Sequence, residues 1–309
     1  MEMKLKINKI RSRNCPVCDA TIGTTKKYLD KIFDLSKVNS YSFSSRKNPE
    51  FMCHNLVLCT NCDLVYADRP PNIDDLSKSY HNADYDSNDE AIDAAKSYSK
   101  SLKSIFKNIK NKNFALEIGT GNGAFLDELK GNGFSNVTGI EPSVKSIESA
   151  PDYRKKNIIN NIFNPDDFDQ NSFDLVCCFM TLEHVLNPKE IAFESKRILK
   201  DGGAIAFIVH DHRSLINRLL GKKSPIIDIE HMQIFSKKSI KKLLYLEGYQ
   251  DIVVRNFKNT YSLKYWVRLM PINNRFKIIL IKLLSLIYLD NIKISLNVGN
   301  LLACGYKQH

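Results

Sequence analysis

Short apolar runs alternate with amphipathic stretches through the middle of the chain. Runs of strand length cover residues 114–118, 136–140, 173–179, 203–209 and 251–257, and helical periodicity covers 124–130, 143–150, 188–200 and 237–247. A last apolar run of strand length covers 300–306. Strands that alternate with helices form a parallel sheet covered on both faces, so the pattern predicts an α/β fold.

The flanking regions have other patterns, and they divide the chain into four predicted segments. Residues 1–79 carry paired cysteines, and residues 80–113 form a helical connector. The connector's apolar positions at helical spacing are Ala91, Ala94, Ala95, Tyr98, Leu102 and Phe106. Residues 114–257 form the core, and residues 258–309 contain a helical insertion followed by the last strand.

The insertion, over residues 258–297, contains an apolar stretch at 278–289 that is interrupted only by Lys282 and Ser285. Twelve residues are too few to span a bilayer. We expect a buried helix or a lid. An oligomer contact and a helix lying on a membrane surface remain open, because lysine and arginine residues flank the stretch.

The strongest motif joins the strand at 114–118 to a helix through three alternating glycines, Gly119, Gly121 and Gly123. Glycines allow a sharp turn and close approach of a ligand to the backbone, and the helix offers free amide groups. Glu141 ends the next strand, about twenty residues after the first glycine, where its carboxylate can bind both hydroxyls of a ribose. The motif predicts a nucleoside cofactor. Its spacing differs from the Gly-x-Gly-x-x-Gly of dinucleotide enzymes, which speaks against a nicotinamide.

This motif, followed by the strand at 173–179 and the Gly202-Gly203 turn before another strand, resembles class I S-adenosylmethionine-dependent methyltransferases. The resemblance implies a Rossmann-like fold whose last two strands form an antiparallel pair at one sheet edge. It also implies S-adenosylmethionine as cofactor. An adenine pocket at Asn161 and Ile162 is the least regular part of the match, because the usual acid is displaced there. The implied cofactor contacts are Glu117, Gly119, Thr120, Gly121, Asn122, Gly123, Glu141, Asn161, Ile162, Phe179 and Tyr85.

Methyl transfer from a sulfonium needs alignment of the two reactants and a base for one proton. His184 follows the strand at 173–179 at the carboxyl edge of the sheet, and an imidazole titrates near neutral pH. We expect His184 to be the base and Glu183 to orient it or to contact substrate. His231 is the second candidate base. The turn His210, Asp211 and His212 also points toward the cleft.

The Glu-His pair is similar to that of ubiquinone-biosynthesis O-methyltransferases and of many small-molecule relatives. In several of those proteins the histidine only shapes the pocket, so that role stays open for His184.

Two Cys-x-x-Cys pairs, Cys15 with Cys18 and Cys59 with Cys62, supply four thiolates. Four thiolates suit structural zinc, because they leave no coordination position for substrate. Cys53 or His54 could compete as ligands, and four free thiols are the alternative. The N-terminus lacks the pattern of a secretory signal, so we expect a cytoplasmic location with reduced cysteines.

Charge is unevenly distributed. Lysine and arginine exceed aspartate and glutamate by 5 over residues 1–113 and by 11 over residues 211–309, whereas residues 114–210 carry a net charge of −5. A basic C-terminal third suits a phosphate-bearing small molecule, an anionic membrane surface or RNA.

A small zinc-ribbon-like module before this core resembles methyltransferases that act on nucleotide-linked sugars, in polysaccharide or natural-product biosynthesis. We expect a small-molecule acceptor, a sugar or nucleotide-linked sugar, that is methylated on a hydroxyl oxygen. A zinc-ribbon ribosomal RNA methyltransferase is one alternative, although the Asn-Pro-Pro-Tyr motif of base amino-group methylation is missing. A non-catalytic scaffold that binds the cofactor is another. An oligomer remains open.

Overall fold

The computed structural model describes residues 12–72 and 78–308. The strands are β1 Thr25–Leu29, β2 Leu56–Cys59, β3 Val65–Ala67, β4 Phe114–Ile118, β5 Asn136–Ile140, β6 Ile158–Ile159, β7 Phe173–Phe179, β8 Leu199–His210, β9 Gln233–Ile234, β10 Gln250–Ser262 and β11 Lys293–Tyr306. The helices are α1 Asn88–Asn108, α2 Ala124–Gly131, α3 Val144–Glu148, α4 Asp152–Lys155, α5 Pro188–Ile198, α6 Leu215–Leu220, α7 Lys237–Leu246, α8 Leu263–Leu269 and α9 Asn274–Leu286.

The central sheet has the strand order β10-β11-β8-β7-β4-β5-β6. Its strands β4 to β8 run parallel, and β11 pairs antiparallel with both β8 and β10. The prediction of a Rossmann-like α/β fold with a mostly parallel sheet and an antiparallel edge is therefore confirmed.

Strand β7 illustrates why the sheet is buried on both faces. All seven of its residues are buried. Val176 and Cys178 belong to one hydrophobic cluster, whereas Leu175 and Cys177 belong to another. Successive side chains of a strand point to opposite faces, so the two clusters are the two covered sides of the sheet. The six connector residues predicted at helical spacing are all buried in α1, and they join the second cluster.

Several element bounds differ from the expectation. Helix α5 ends at Ile198, and β8 starts at the next residue, Leu199. The predicted turn at Gly202-Gly203 therefore lies within β8 and not before it. Strands β10 and β11 continue past the sheet edge as a two-stranded ribbon, since β11 pairs with β8 only from Asn300 onward. The predicted insertion at 258–297 therefore shrinks to residues 263–292, which hold α8 and α9.

The expectation of a buried helix at 278–289 is wrong. In α9 the only buried residue is Lys277, and Ile278, Ile279 and Leu283 are each more than half exposed. The helix packs against α8 outside the core, and most of its apolar surface faces outward. The predictions of a lid, an oligomer contact and a membrane-surface helix stay open. Among residues 12–72 and 78–308, no helix combines the length and hydropathy that crossing a bilayer requires.

The N-terminal region forms a second sheet with the order β1-β2-β3-β9. Its last strand, β9, comes from the loop before α7, so the sheet links the predicted module to the core. Arg13 reinforces this link: its guanidinium donates to the carbonyls of Ala67 at 2.9 Å, Leu186 at 2.7 Å and Met232 at 2.9 Å. The N-terminal region is thus built into the core, and the cysteine-bearing end lies against the same apolar cluster as β7.

Candidate active site

The glycine loop leaves β4 and turns directly into α2. Gly119, Gly121 and Gly123 all have positive φ angles, of 76°, 58° and 71°. At Gly119 a Cβ atom would lie 2.1 Å from the Thr181 hydroxyl oxygen, so only glycine fits between the loop and the segment after β7.

Glu141, at the end of β5, faces this loop. One of its carboxylate oxygens accepts the amide of Gly121 at 2.8 Å, and the other accepts the amide of Ser143 at 2.8 Å. These bonds fix the carboxylate plane, and each oxygen keeps a further lone pair. The arrangement is the one that a ribose diol requires.

Glu117 lies deeper, at 3% exposure, and accepts a hydrogen bond from the Thr120 hydroxyl. Burial raises the pKa of Glu117 to about 8, although the hydrogen bond from Thr120 acts to lower it. A cationic ligand group beside this carboxyl would favour its ionised form.

A cavity of about 760 Å³ extends from the glycine loop across the carboxyl edge of the sheet. Of the predicted cofactor contacts, its walls include Glu117, Gly119, Thr120, Gly121, Asn122, Glu141, Asn161, Ile162 and Phe179. Gly123 begins α2 just behind the loop. Tyr85 does not contribute to the described walls, and Tyr80 from the same segment does.

Three imidazoles line the far half of the cavity. The ring of His231 lies 4.9 Å from that of His184 and 5.2 Å from that of His210, measured between centroids. His231 donates its Nδ1 proton to the Ile226 carbonyl at 2.9 Å, and His210 Nδ1 lies 2.8 Å from the Asn300 side-chain oxygen. A carbonyl only accepts, so the Nε2 atom of each of these two rings carries a free lone pair.

His184 is held differently. Its Nδ1 atom lies 2.9 Å from the Tyr80 hydroxyl and 3.6 Å from a carboxylate oxygen of Glu230. Burial lowers the pKa of His184, His210 and His231, that of His210 to about 3. All three rings are therefore neutral at pH 7, and each has one nitrogen that can accept a hydrogen bond.

A buried charged group lies beside the imidazoles. Lys47 contacts Asp228 at 2.8 Å and Glu50 at 3.4 Å. Although burial opposes its charge, these carboxylates and Glu230 raise the pKa of Lys47. Burial also raises the pKa of Glu230, to about 8. The ligand atoms of His184, Glu230 and His231 lie within 4.8 Å of one another. The positive charge of the Lys47 ammonium acts on all three groups. That charge repels a divalent cation and so disfavours a metal ion at these three residues.

Glu183 lies beneath the cavity and not in its wall. It is fully buried, and one carboxylate oxygen accepts the backbone amide of His210 at 2.6 Å. Burial raises its pKa to about 8. Glu183 therefore supports the end of β8 instead of orienting His184. Asp211 and His212 point away from the imidazoles, and His212 Nε2 bonds the Asp63 carbonyl at 2.9 Å.

The sequence analysis missed Arg46, Lys47 and Tyr80, which reach the cavity from outside the predicted core. Arg46 and Lys47 lie between the two cysteine pairs, in a stretch without periodicity. The one available signal was the length of that stretch, which exceeds the usual spacing in a zinc ribbon and requires the intervening residues to form a structure of their own.

The four paired cysteines come together. Cys15 and Cys62 have sulfur atoms 3.5 Å apart, Cys18 and Cys59 are 3.6 Å apart, and all four sulfurs lie within 4.8 Å of one another. A tetrahedral zinc ion with Zn–S bonds of about 2.3 Å requires sulfur atoms roughly 3.8 Å apart. The cluster fits that ion. Cys53 lies outside it, with its thiol 3.7 Å from the Asp30 carbonyl.

Comparison with known proteins agrees with this geometry. The family described as a methyltransferase domain matches residues 90–254. A ubiquinone biosynthesis O-methyltransferase from Actinobacillus pleuropneumoniae serotype 7 is 31% identical over 115 residues, which are 34% of this chain and 46% of that protein. An EEF1A lysine methyltransferase 2 from Mus musculus is 49% identical over 47 residues, 15% of this chain and 19% of that one. The chain thus spans less than half the length of these relatives.

Solved structures also align with the chain. A SAM-dependent methyltransferase from Archaeoglobus fulgidus is 15% identical, with a TM-score of 0.48, over 69% of this chain and 94% of that one. A Haemonchus contortus phosphoethanolamine N-methyltransferase 2, solved with S-adenosyl-L-methionine, is 16% identical, with a TM-score of 0.46, over 69% and 52%. Because the family match covers more than half of its residues, the chain belongs to the family of methyltransferase domains.

Proposed function

We propose that this protein transfers a methyl group from S-adenosylmethionine to a hydroxyl oxygen of a small, polar acceptor, a sugar or nucleotide-linked sugar. The observation that carries the proposal is a single cavity with a ribose-binding carboxylate at one end and neutral imidazoles at the other. The family match supports methyl transfer.

The cofactor end is formed by the glycine loop with Glu117 and Glu141. Glu141 binds the ribose diol, and Glu117 receives the ammonium of the amino-acid part, where a cation offsets the burial of its carboxylate. Asn161 and Ile162 line the adenine side. The bound sulfonium supplies a methyl group that the acceptor oxygen attacks, while the electron pair of the broken carbon–sulfur bond stays on sulfur.

The proton released from the acceptor hydroxyl goes to an imidazole. His231 is the better placed base, because its Nδ1 proton is committed to Ile226 and its Nε2 lone pair is free. His184 positions the acceptor together with Tyr80, whose hydroxyl it contacts. The sequence analysis ranked His184 first as the base and His231 second, and this proposal reverses that order.

A polyhydroxylated acceptor is supported by the polar groups on the far wall of the cavity. The buried Asn259 and Asn300 line the cavity, as do Tyr80 and the Lys47–Asp228 ion pair. Such a wall offers both donors and acceptors, which a sugar can satisfy and an alkyl ring cannot.

The cysteine cluster is proposed to hold one structural zinc ion. Four buried or half-buried thiolates on two tight turns match the ligand set of closed zinc sites. The metal then fixes the ends of the long segment that carries Arg46 and Lys47.

Calorimetry with S-adenosylmethionine, followed by mass spectrometry of a panel of nucleotide sugars, free sugars and catechols, tests the proposal. We expect binding and a mass gain of one methyl group on a sugar acceptor. Glu141→Ala should lose cofactor binding, whereas Glu148→Ala, an exposed carboxylate on α3, should keep it. Absence of cofactor binding by the wild-type protein would refute the proposal. Binding without transfer to any acceptor would favour a scaffold.

A further inference from the structure

The cavity opens beside an exposed apolar surface. Ile216 of α6, Met270 after α8 and Leu296 of β11 line the cavity, and they are 40%, 42% and 40% exposed. Further exposed apolar residues continue along α6 and α9, namely Leu215, Leu219, Phe276, Ile279, Leu283 and Leu286. We call these nine residues the rim surface.

Packing and hydrogen bonds hold the parts of the rim surface on β11. Helix α6 packs against this strand. The Trp266 indole of α8 donates to the Ile294 carbonyl of β11 at 3.0 Å. The Lys277 ammonium of α9 donates to the Arg268 carbonyl of α8 at 2.6 Å. The two helices that carry most of the rim surface are therefore both fixed to β11, α6 directly and α9 through α8.

The apolar residues of α9 form a stripe. Phe276, Ile279, Leu283 and Leu286 recur at helical spacing, so they lie on one face of the helix, and each is more than half exposed. Leu215 and Leu219 of α6 are 73% and 74% exposed. Exposed apolar residues grouped in this way mark a surface that binds a partner or a membrane.

The charges around the rim surface are all positive. Residues 213–223 contain four lysines and arginines and residues 263–289 contain five, and neither segment contains aspartate or glutamate. Arg218, Lys222, Lys223, Arg275 and Lys282 are exposed. A second copy of this chain would bring like charges together across a two-fold interface. Anionic headgroups complement these charges, and cations beside an apolar helix face are typical of a helix that lies in a membrane surface.

We propose that the rim surface binds an anionic phospholipid bilayer. Helices α6 and α9 lie in the headgroup layer with their apolar residues toward the acyl chains, and the exposed cations contact lipid phosphates. The opening of the cavity beside Ile216, Met270 and Leu296 then faces the bilayer. Binding of this kind requires neither cofactor nor acceptor, so it can be tested separately from the proposed function.

Co-sedimentation of the full chain with lipid vesicles tests the proposal. One set of vesicles contains phosphatidylcholine alone, and the other contains equal parts of phosphatidylcholine and phosphatidylglycerol. We expect the wild-type protein to bind the anionic vesicles about 10-fold or more tightly than the neutral ones at low salt, because several cations lie near the lipid surface. This preference should shrink as the salt concentration rises.

Two double variants separate the apolar from the electrostatic contribution. Phe276→Ser with Leu286→Ser should weaken binding to anionic vesicles by about 100-fold or more, because two large apolar side chains no longer leave water. Arg275→Gln with Lys282→Gln should weaken it by about 25-fold, since each cation near an anionic surface contributes about 5-fold.

Matched controls come from α7, which packs on the other hydrophobic cluster from α8. Tyr245→Ser removes an apolar ring that is 66% exposed, and Lys241→Gln with Lys242→Gln removes two exposed cations. Both control variants should bind anionic vesicles as the wild-type protein does.

Three results would overturn the inference. One is equal or absent binding of the wild-type protein to the two kinds of vesicle, which needs no variant. Another is wild-type affinity for anionic vesicles in a Phe276→Ser/Leu286→Ser protein that is folded by circular dichroism. The third is a wild-type dimer in sedimentation velocity that this double variant converts to a monomer, which would assign the rim surface to a second copy of the chain. Loss of vesicle binding with intact methyl transfer would refute this inference alone, and vesicle binding without cofactor binding would refute the proposed function alone.

Discussion

At the scale of single residues, the hydrogen bond on one nitrogen of each imidazole decides what the other nitrogen can do. Nδ1 of His231 and of His210 faces a carbonyl oxygen, which only accepts, whereas Nδ1 of His184 faces the Tyr80 hydroxyl, which can donate or accept. Their lowered pKa values keep all three rings unprotonated at neutral pH. Which histidine can act as a base therefore depends on which ring nitrogen carries the proton. The sequence does not reveal this tautomer.

We predict that His231→Gln lowers kcat by about 100- to 1,000-fold, because a general base contributes roughly this factor. The affinity for S-adenosylmethionine should stay within about 3-fold of the wild-type value, since His231 lies on the acceptor side. Steady-state kinetics and calorimetry on one preparation measure both. His81→Gln, at an exposed histidine, serves as control. A wild-type rate with His231→Gln would return the role of base to His184 or His210.

The pH dependence of stability should reveal the proton on Glu183. Its folded pKa of about 8 lies above the ordinary value of 4.5, so the native state retains a proton that the unfolded chain releases. The stabilisation from this group is complete below about pH 4.5 and is lost as pH rises toward 8. Glutamine mimics the protonated form and keeps the acceptor for the His210 amide.

We therefore predict that Glu183→Gln becomes more stable relative to wild type as pH rises from 5 to 8, by on the order of 1 kcal/mol per pH unit. Urea unfolding at several pH values gives the difference in the free energy of unfolding. The exposed Glu148→Gln should show a flat difference. A flat difference for Glu183→Gln as well would mean that Glu183 is ionised in the native state.

At the scale of elements, two tight turns bring the cysteine pairs together across β2. Cys59 ends this strand, and Cys15 and Cys18 lie on the turn opposite. The formation of the cluster therefore depends on the fold, which places the two turns side by side, as much as on the Cys-x-x-Cys spacing in the sequence.

We predict that Cys59→Ser abolishes zinc binding and lowers the free energy of unfolding by about 3 kcal/mol or more, because metal binding in such sites is part of folding. Cys53→Ser, which changes a thiol outside the cluster, should retain the metal. Inductively coupled plasma mass spectrometry gives the metal content, and chemical denaturation gives the stability. Full zinc content in Cys59→Ser would exclude Cys59 as a ligand.

Elements with strong local patterns were predictable from the sequence, and those made by distant pairing were not. The fully buried β7 and the periodic α1 are found where expected, and the glycine loop has the backbone that its three glycines imply. By contrast, β9 has only two residues and owes its strand geometry to β3. The exposed α9 has the composition of a core helix, and only the flanking lysine and arginine residues indicated a place outside the core.

The same reasoning applies to the site. Glu141 and His184 follow strands of the sheet and were predictable from topology. Arg46 and Tyr80 come from segments whose place is set by tertiary contacts, such as the bonds from Ser87 and to His184. Nothing in the local sequence carries that information.

At the scale of the whole molecule, the N-terminal region and the core share an apolar cluster and a sheet, and Arg13 bridges them. We predict that Arg13→Ala destabilises the whole chain by about 2–4 kcal/mol, since three carbonyls lose a charged donor. The single Trp266 lies in the opposite cluster, so its fluorescence reports on the core.

Urea unfolding followed by Trp266 fluorescence and by far-ultraviolet circular dichroism should give one coincident transition that shifts in Arg13→Ala. Arg69→Ala, an exposed arginine near the bridge, should change the stability by less than about 0.5 kcal/mol. Two separate transitions in the wild-type protein would show that the regions unfold independently.

The placement of β9 directly after His231 has a consequence for any attempt to shuffle or trim this protein. The match to the methyltransferase-domain family starts at residue 90, but a fragment cut there would leave β9 without β3 and would discard Arg46, Lys47 and Tyr80. Grafting a foreign N-terminal segment would likewise shift the turn that carries His231, the proposed base. Acceptor preference in chimeras should therefore be inherited with the N-terminal sheet, and not with the nucleoside-binding half alone.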